Sequence, residues 1–260
     1  MIKTILKILG VLYFLGCIII FTFQERLIFN AEQLGENYNY GMGQEIEIAL
    51  DEEVSMNNLW VKSDKPSSKG VILYLHGNRG SIRFGTYQIR HFKNLGYDIM
   101  IPDYRSYGKT EGQICCEAQL LTDVEKVYDF LKTKYGESKI TLVGYSLGTG
   151  FASYLASKNK PKQLLLIAPF TSLTDIKNKY LWFVPDFLLK FKFPVKKFLE
   201  TTQCPITIVH GESDKIVDFS FSKKLKATFQ EKINLVPVPN VGHRRIIFDR
   251  TLAQTIRDIF

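Results

Sequence analysis

The sequence predicts a doubly wound α/β fold with a mostly parallel sheet, and two patterns support this prediction. Short aliphatic runs alternate with segments whose apolar residues repeat at helical spacing, such as Leu120, Val124, Val127 and Leu131. The run 71–75 is apolar at every position, as in strands that are buried on both faces of a parallel sheet. Strands joined by helices favour right-handed crossovers, and 260 residues suffice for one such domain.

The predicted elements follow one another in a regular order. Two short leading strands are expected to pair in antiparallel fashion. The strands are expected at 45–50, 58–61, 71–75, 98–102, 140–143, 164–167, 206–209 and 233–236, with helices at 87–95, 116–134, 151–156, 219–229 and 251–260.

A short lid is expected at about 172–199, between two strands of the predicted sheet. Aromatic residues alternate there with lysines, and surface lids share this amphipathic pattern with helices that cover a core. One interpretation is a lid that lines an acyl pocket or touches a bilayer. The other is that the aromatic side chains simply pack onto the sheet, and both interpretations stay open at this stage.

The N-terminal residues 1–26 are expected to form a membrane anchor, and residues 27–260 the folded α/β domain. Residues 8–23 are uncharged and strongly apolar. A helix of that length spans about 24 Å, and residues 4–6 extend it toward the ~30 Å of a hydrocarbon core. The sequence therefore predicts one N-terminal transmembrane helix.

The charges around this run predict its orientation. Lys3 and Lys7 precede the run, whereas only Arg26 follows it closely, which favours a cytoplasmic N-terminus and an extracytoplasmic domain. A cleaved signal peptide would fit the length, but no small-residue cleavage site follows. The Gly16-Cys17 pair resembles a lipoprotein site, but the apolar residues continue beyond it. An anchor that is retained is the favoured interpretation.

Charge and cysteine content limit the possible partners. The net charge is +8, but the basic residues are scattered and no nucleic-acid motif accompanies them. An anionic membrane surface is therefore a better electrostatic partner than a nucleic acid, and a simply solvated basic surface is equally compatible. The four cysteines form neither a disulfide framework nor a zinc-binding spacing. No metal and no cofactor is expected.

The pattern G-x-S-x-G, formed by Gly144, Ser146 and Gly148, follows an aliphatic run and precedes a helical pattern. A strand, a sharp turn and a helix in this order expose the serine hydroxyl above a sheet. The glycines leave room for that turn. The context therefore predicts that Ser146 is a nucleophile.

A serine nucleophile needs a base, and the base needs an acid that orients it. Of the four histidines, His243 lies in a loop after the last predicted strand. The loop after the preceding strand offers Asp214 as the best acid, with Glu212 and Asp218 as alternatives. The order serine, acid, histidine is that of α/β hydrolases rather than that of the chymotrypsin or subtilisin types.

A tetrahedral intermediate also needs two backbone N–H donors for its oxyanion. One donor is expected from Leu147, directly after the nucleophile, and the other from Asn78, after the strand 71–75 and the pair His76-Gly77.

Five motifs together resemble the α/β-hydrolase superfamily. They are H-G-N at 76–78, D-Y-R-S-Y-G at 103–108, G-Y-S-L-G at 144–148, H-G-E-S-D at 210–214 and G-H at 242–243. More narrowly, nearly the whole chain resembles the membrane-anchored branch related to the yeast bud-emergence protein and the animal protein depalmitoylases. The resemblance implies a serine hydrolase of esters or thioesters, often lipid-linked, without metal or cofactor. It assigns Ser146 as nucleophile, Asp214 as acid and His243 as base, and structural roles to Asp103 and Arg105.

Two other functions remain as alternatives at this stage. The first is a serine peptidase on the same fold, which an acidic pocket for a substrate N-terminus would support. The second is a non-catalytic interaction protein on a hydrolase scaffold, and the intact set of serine, acid and histidine counts against it.

Overall fold

A computed structural model describes all 260 residues and contains an eight-stranded sheet with helices on both faces. The strands are β1 (Asn30–Ala31), β2 (Gln44–Ala49), β3 (Ser55–Val61), β4 (Val71–Leu75), β5 (Arg79–Gly80), β6 (Asp98–Pro102), β7 (Ile140–Tyr145), β8 (Gln163–Ile167), β9 (Ile206–Gly211) and β10 (Ile233–Val238). The helices are α1 (Ile2–Ile28), α2 (Ile82–Gln88), α3 (Glu117–Tyr135), α4 (Gly148–Lys158), α5 (Leu173–Tyr180), α6 (Val195–Thr201), α7 (Ser220–Thr228) and α8 (Arg250–Ile259).

The main sheet has the strand order β10-β9-β8-β7-β4-β6-β3-β2. Strand β3 pairs in antiparallel fashion with both of its neighbours, and every other pairing is parallel. The two short strands β1 and β5 form a separate parallel pair. The prediction of a mostly parallel, doubly wound α/β fold is confirmed. The expected antiparallel pair of leading strands is present as β2 and β3.

The sheet is buried between two layers of helices. On one face, the apolar sides of α3, α4, α6 and α7 pack against the strands and form the larger core. On the other face, α2 and α8 cover a second core. All five residues of β4 and all six of β7 are buried, because central parallel strands have a helix layer on each side.

One helix lies several residues earlier in the chain than the sequence pattern predicts. The helix expected at 87–95 begins at Ile82 and ends at Gln88, followed by a short 3-10 turn over Ile89–His91. The Ser81 hydroxyl accepts a hydrogen bond from the Arg83 N–H and caps the first turn. Asn94 and Gly96 both have positive φ, which ends the helical backbone before residue 95.

Helix α1 is long and apolar enough to cross a membrane. Most of its side chains are exposed, but Cys17 and Gln24 on one face are buried. The chain after α1 enters β1 and pairs with β5, directly after the H-G-N motif. The N-terminal helix is therefore joined to the edge of the sheet at which the strands β4 and β7 end.

The predicted lid at 172–199 contains α5, a 3-10 turn over Asp186–Leu188, and α6. Phe191 and Phe193 are fully buried in the larger core, whereas Trp182 and Phe187 are almost fully exposed. Among these four aromatic residues, the packing onto the sheet therefore holds for Phe191 and Phe193 only. The C-terminal part packs onto the core, and the part before it projects from the domain.

Candidate active site

Ser146 lies in the sharp turn between β7 and α4. Its φ is +52°, a left-handed conformation that non-glycine residues adopt at a cost of about 1–3 kcal/mol. The turn is held by hydrogen bonds from the Ser146 N–H to the Ile167 carbonyl (2.9 Å) and from the Thr149 N–H to the Ser146 carbonyl (2.9 Å). This strand-turn-helix geometry is the one that the G-x-S-x-G pattern predicts.

Backbone atoms lie so close to Gly144 and Gly148 that neither position has room for a side chain. A Cβ atom on Gly148 would lie 1.9 Å from the Leu75 carbonyl oxygen, and one on Gly144 would lie 2.5 Å from the Gly148 carbonyl oxygen. Both contacts are far inside van der Waals distance, and in both the opposing atom is backbone. Helix α4 can therefore pack this closely against β4 and β7 only without these side chains.

We expect Gly148→Ala to destabilise the fold. The new methyl group must displace the end of β4, and overpacking of this kind costs about 3 kcal/mol or more, which lowers the melting temperature of a domain of this size by roughly 6–12 °C. Thermal unfolding followed by circular dichroism measures the change. Gly35→Ala is the matched control, because a Cβ atom on Gly35 meets no atom within 4 Å. Equal melting temperatures for the two variants would contradict this account of the motif.

The structure brings Ser146, His243 and Asp214 into one hydrogen-bonded chain. The His243 Nε2 atom lies 2.9 Å from the Ser146 Oγ atom, and its Nδ1 atom lies 2.7 Å from the Asp214 Oδ2 atom. Each of the three residues is less than one-tenth exposed. A carboxylate can only accept, so Nδ1 carries a hydrogen and Nε2 of a neutral ring is free to accept the serine proton. The arrangement can deprotonate Ser146 as it attacks.

Asp214 rather than Glu212 or Asp218 reaches His243. Asp218 instead pairs with Lys179 (2.5 Å), whose hydrogen bond lowers the pKa of the Asp218 carboxyl to about 2. The side chain of Glu212 points into solvent. Of the three acids considered from the sequence, Asp214 alone has the position that an orienting carboxylate needs.

The surroundings of Asp214 keep it ionised. Burial alone would raise its pKa, but hydrogen bonds from His210 and His243 together with the N–H groups of Ile216 (2.8 Å) and Val217 (2.9 Å) lower the pKa well below its usual value. A carboxylate that accepts several N–H bonds favours its charged form. Asp214 is therefore an anion at neutral pH, and it can stabilise a positive charge on His243.

The two expected oxyanion donors border the same site. The backbone N–H groups of Asn78 and Leu147 donate no hydrogen bond within the chain, and Asn78 lines the pocket in front of Ser146. The peptide after Asn78 is fixed because its carbonyl accepts from the Asn30 N–H (3.0 Å) and the Tyr107 hydroxyl (2.7 Å). The Asn78 side chain also donates to the Ile28 carbonyl (3.0 Å). The end of α1 thus braces the loop that carries one predicted donor.

Two neighbours of the site were not predicted as partners of it. The His210 Nε2 atom lies 3.2 Å from the Asp214 Oδ2 atom, and the Tyr145 ring stacks on His243 with centroids 5.3 Å apart. The Tyr145 hydroxyl donates to the His243 carbonyl (3.1 Å). Tyr145 is the variable position inside G-x-S-x-G, and His210 belongs to the H-G-E-S-D motif. Both residues lie within motifs of the sequence, but the motifs do not predict these contacts.

The D-Y-R-S-Y-G loop has the structural role that was expected of it. Asp103 is buried and accepts hydrogen bonds from the Ile82 N–H (2.7 Å) and the Tyr40 hydroxyl (3.2 Å). Burial raises the pKa of Asp103 to about 7. Arg105 pairs with Asp123 (2.6 Å). These contacts tie α2 and α3 to the loop, and none of them reaches Ser146.

A pocket of about 490 Å³ opens in front of Ser146 and His243. Its walls combine apolar and cationic side chains and contain no carboxylate. The side chains that form them around the reactive residues are Phe84, Tyr87, Ile216, Ile247, Phe248, Arg79 and Arg244. No residue of 172–199 lines the pocket, so the predicted acyl-lining role of the lid does not hold in this structure. The apolar wall of the pocket comes from α2 and from the segment after His243.

A parallel sheet that presents a serine elbow, an acid and a histidine after successive strands has the architecture of the α/β hydrolases. The comparison with protein families agrees, since the α/β-hydrolase fold model matches residues 70–204. The chain belongs to the α/β-hydrolase fold family, as predicted.

Comparisons with individual proteins find lysophosphatidylserine lipases among the relatives. The chain is 29 % identical over 240 residues to the lysophosphatidylserine lipase ABHD12 of Danio rerio, covering 80 % of this chain and 62 % of the relative. It is 30 % identical over 218 residues to the protein of the same name from Macaca fascicularis, covering 72 % of this chain and 54 % of the relative. The chain therefore spans little more than half the length of these two relatives.

Solved structures share the fold at lower identity. The Pf2001 esterase of Pyrococcus furiosus superposes with a TM-score of 0.69 at 18 % identity, covering 89 % of this chain and 95 % of the esterase. Est1E of Butyrivibrio proteoclasticus with bound ferulic acid superposes with a TM-score of 0.68 at 19 % identity, covering 82 % and 97 %. At these identities the similarity supports the fold.

Proposed function

We propose that this protein is a serine hydrolase that cleaves the ester bond of a single-chain lipid, and that Ser146, His243 and Asp214 are its catalytic residues. The observation that carries the proposal is the hydrogen-bonded chain from Ser146 through His243 to Asp214, placed in the left-handed turn after β7 and open to a pocket. The names of the curated relatives, which are lipases, support the same reaction type.

The proposed reaction has two steps that use the same residues. Ser146 attacks the ester carbonyl while His243 takes its proton, and the protonated ring then gives that proton to the departing alcohol. The N–H groups of Asn78 and Leu147 hold the oxyanion. Water, deprotonated by His243, then releases the acid from Ser146 and restores the enzyme. Asp214 stabilises the imidazolium in both steps.

A lysophospholipid is the substrate class that the pocket supports best. The aromatic and aliphatic side chains of α2 and of the segment after His243 can hold an acyl chain, whereas Arg79 and Arg244 can hold a phosphate. The arginines that form ion pairs within the chain are Arg83 and Arg105, so the two at the pocket keep their donors for a ligand. The absence of a carboxylate in the pocket disfavours the peptidase alternative, which needs an acidic group for a substrate N-terminus.

The location that we propose is the membrane, with residues 1–26 as a retained anchor and residues 27–260 as an extracytoplasmic domain. The length and apolarity of α1 support the anchor, and the charges around it support the orientation. Protease digestion tests both. Protease added outside intact cells should digest an extracytoplasmic domain, whereas the same domain should be protected in sealed inside-out vesicles.

The narrower relationship to the bud-emergence and depalmitoylase branch also stays a prediction. The two curated relatives described above carry a different name, lysophosphatidylserine lipase. A thioester substrate would favour the branch, and an oxygen ester would favour the lipase function. Comparing palmitoyl-peptide thioesters with lysophospholipids at equal concentration distinguishes the two.

Labelling by a fluorophosphonate tests the central proposal directly. The probe reacts with a serine that a neighbouring base activates, so the full-length protein in detergent should be labelled at Ser146. The protein should also hydrolyse p-nitrophenyl esters from acetate to palmitate. The preferred chain length should report the length of the acyl pocket. A protein that is folded but neither labelled nor active on any ester would exclude the proposed function.

We expect Arg79→Ala/Arg244→Ala to lose affinity for anionic lysophospholipids. The KM for lysophosphatidylserine should rise roughly 10–100-fold, the loss that removing charge-assisted hydrogen bonds produces, while kcat/KM for p-nitrophenyl butyrate stays close to that of the wild type. Arg250→Ala, which removes an exposed arginine outside the pocket, is the matched control. Equal losses on the lipid and the neutral ester would contradict a headgroup role.

A further inference from the structure

We propose that the segment 180–188, called here the tip, is a second membrane-inserted element that enters one leaflet of the bilayer alongside α1. The tip contacts the last turns of α1, and the end of α1 contacts the Asn78 loop at the carboxyl edge of the sheet, the edge that carries Ser146. Its insertion would set this edge, and the pocket, at the lipid surface. The proposal does not depend on the reaction that the site catalyses.

The tip is fastened to α1 by specific hydrogen bonds. The Tyr13 hydroxyl donates to the Phe183 carbonyl (2.8 Å), and the Gln24 amide donates to the Leu188 carbonyl (3.0 Å). The Gln24 Oε1 atom accepts from the Lys190 N–H (2.8 Å). Gln24 is only 2 % exposed, so its side chain is committed to these backbone groups. The tip and α1 therefore form one unit.

The positions of these contacts along α1 place the tip at membrane depth. Tyr13 lies within the apolar run and precedes Gln24 by 11 residues, which corresponds to about 16 Å along a helix. This is about half of the ~30 Å hydrocarbon core. If α1 spans a bilayer, Phe183 lies well inside the leaflet next to the domain.

The exposed side chains of the tip are those that a hydrocarbon environment favours. Trp182 is 78 % exposed and Phe187 is 80 % exposed, and Tyr180, Leu181 and Phe183 are also exposed. A contiguous group of large apolar side chains in contact with water marks an interaction surface. Because the same surface continues into the apolar side chains of α1, a lipid bilayer is the partner that fits both.

The charges within the tip are neutralised locally. Asp186 is its only charged residue, and the Asp186 Oδ1 atom lies 2.5 Å from the Lys177 Nζ atom. The same ammonium group donates to the Val184 carbonyl (2.5 Å). Lys177 itself is buried. Charged groups enter a bilayer only when they are paired or can reach water, and this pair meets that requirement.

Basic residues follow the tip at the level where lipid headgroups would lie. Lys190 pairs with Glu25 at the end of α1 (2.9 Å), and Lys192, Lys196 and Lys197 follow it. The last three are exposed. Lysines near an anionic leaflet each contribute about 1 kcal/mol of attraction. An apolar tip followed by exposed lysines has the polarity order of an interfacial anchor.

The two tryptophans of the chain allow a direct test. Full-length Trp60→Phe keeps Trp182 as the only tryptophan, and full-length Trp182→Phe keeps Trp60, which lies in β3 and contacts Tyr135. Each variant is placed in vesicles of phosphatidylcholine and phosphatidylglycerol in which the phosphatidylcholine carries bromine in the middle of its acyl chains. We expect Trp182 to lose most of its emission to the bromines and to be protected from aqueous iodide, and Trp60 to show no bromine quenching.

Three outcomes would overturn the proposal. The first is Trp182 emission that bromolipids leave unchanged and iodide quenches, with the protein bound to the vesicles in flotation. The second is equal bromine quenching of both tryptophans. Should Trp60→Phe fail to fold, the wild-type spectrum minus that of Trp182→Phe gives the same reading. Protection of Trp182 from iodide without bromine quenching would instead indicate a second copy of the chain on the tip, and it too would overturn the lipid proposal.

Discussion

Ser146→Ala should lower kcat for ester hydrolysis by roughly 10⁵-fold or more while leaving the fold intact. The Ser146 hydroxyl hydrogen bonds only to His243, so its loss removes the proposed nucleophile and breaks no other contact. The elbow itself is held by backbone hydrogen bonds and by Gly144 and Gly148, which the substitution leaves in place. We therefore expect the stability to change by less than about 1 kcal/mol.

Three measurements on the same preparations separate loss of chemistry from loss of structure. They are p-nitrophenyl butyrate turnover, fluorophosphonate labelling and the melting temperature. Ser67→Ala is the matched control, because Ser67 is exposed in the turn before β4. Activity of Ser146→Ala within tenfold of the wild type would refute the nucleophile assignment. Unchanged activity with unchanged labelling would point to another serine.

The contrast between Ser146→Ala and Gly148→Ala separates two parts of one motif. Both residues lie in the same five-residue pattern, but the first substitution is expected to abolish turnover with little effect on folding. The second is expected to destabilise the fold, because the added Cβ atom would lie too close to the Leu75 carbonyl oxygen. A G-x-S-x-G pattern thus encodes a backbone requirement and a chemical group separately.

The parts of the fold that the sequence predicted are those with a strong local signal. Strand β4, at Val71–Leu75, is apolar throughout and was placed with the correct bounds. The positions of Ser146, Asp214 and His243 were predictable because each follows a strand, and the carboxyl ends of parallel strands meet at one edge. The sequence could not distinguish Asp214 from Glu212 and Asp218. Only the distance from Asp214 to His243 does so.

The parts that could not be predicted depend on contacts between distant segments. The pairing of β1 with β5 and the hydrogen bond from Asn78 to Ile28 join the N-terminal helix to the loop of a predicted oxyanion donor. A two-residue strand has no periodicity to detect. The aromatic residues of the tip are evident in the sequence, but the hydrogen bonds that join the tip to Tyr13 and Gln24 span more than 160 residues. Local pattern carries no information on such a contact.

Asp214→Asn should lower kcat by roughly 10⁴-fold, the loss that this substitution produces in a serine triad. The Asp214 Oδ2 atom accepts the His243 Nδ1 hydrogen at 2.7 Å. An amide NH₂ in that position would require Nδ1 to accept instead, which moves the ring hydrogen to Nε2. That hydrogen then faces the Ser146 Oγ atom, 2.9 Å away, and the ring can no longer take the serine proton.

Asp218→Asn is the matched control for this substitution, because it removes a carboxylate four residues away that pairs with Lys179 rather than with His243. It should leave kcat within about twofold of the wild type, as expected for a residue outside the hydrogen-bonded chain. A large loss for Asp218→Asn with an active Asp214→Asn would exchange the roles of the two acids.

Thermal unfolding of the same variants adds an independent reading. The pKa of Asp214 is lowered in the folded protein, so its ionisation stabilises the fold above the ordinary carboxyl pKa of about 4, and this stability is lost as the pH falls further. The melting temperature of the wild type should therefore exceed that of Asp214→Asn at pH 7, and the difference should shrink below about pH 4. A difference that is independent of pH would mean that Asp214 contributes through packing rather than through its charge, which would leave His243 without the anion that the proposed mechanism requires.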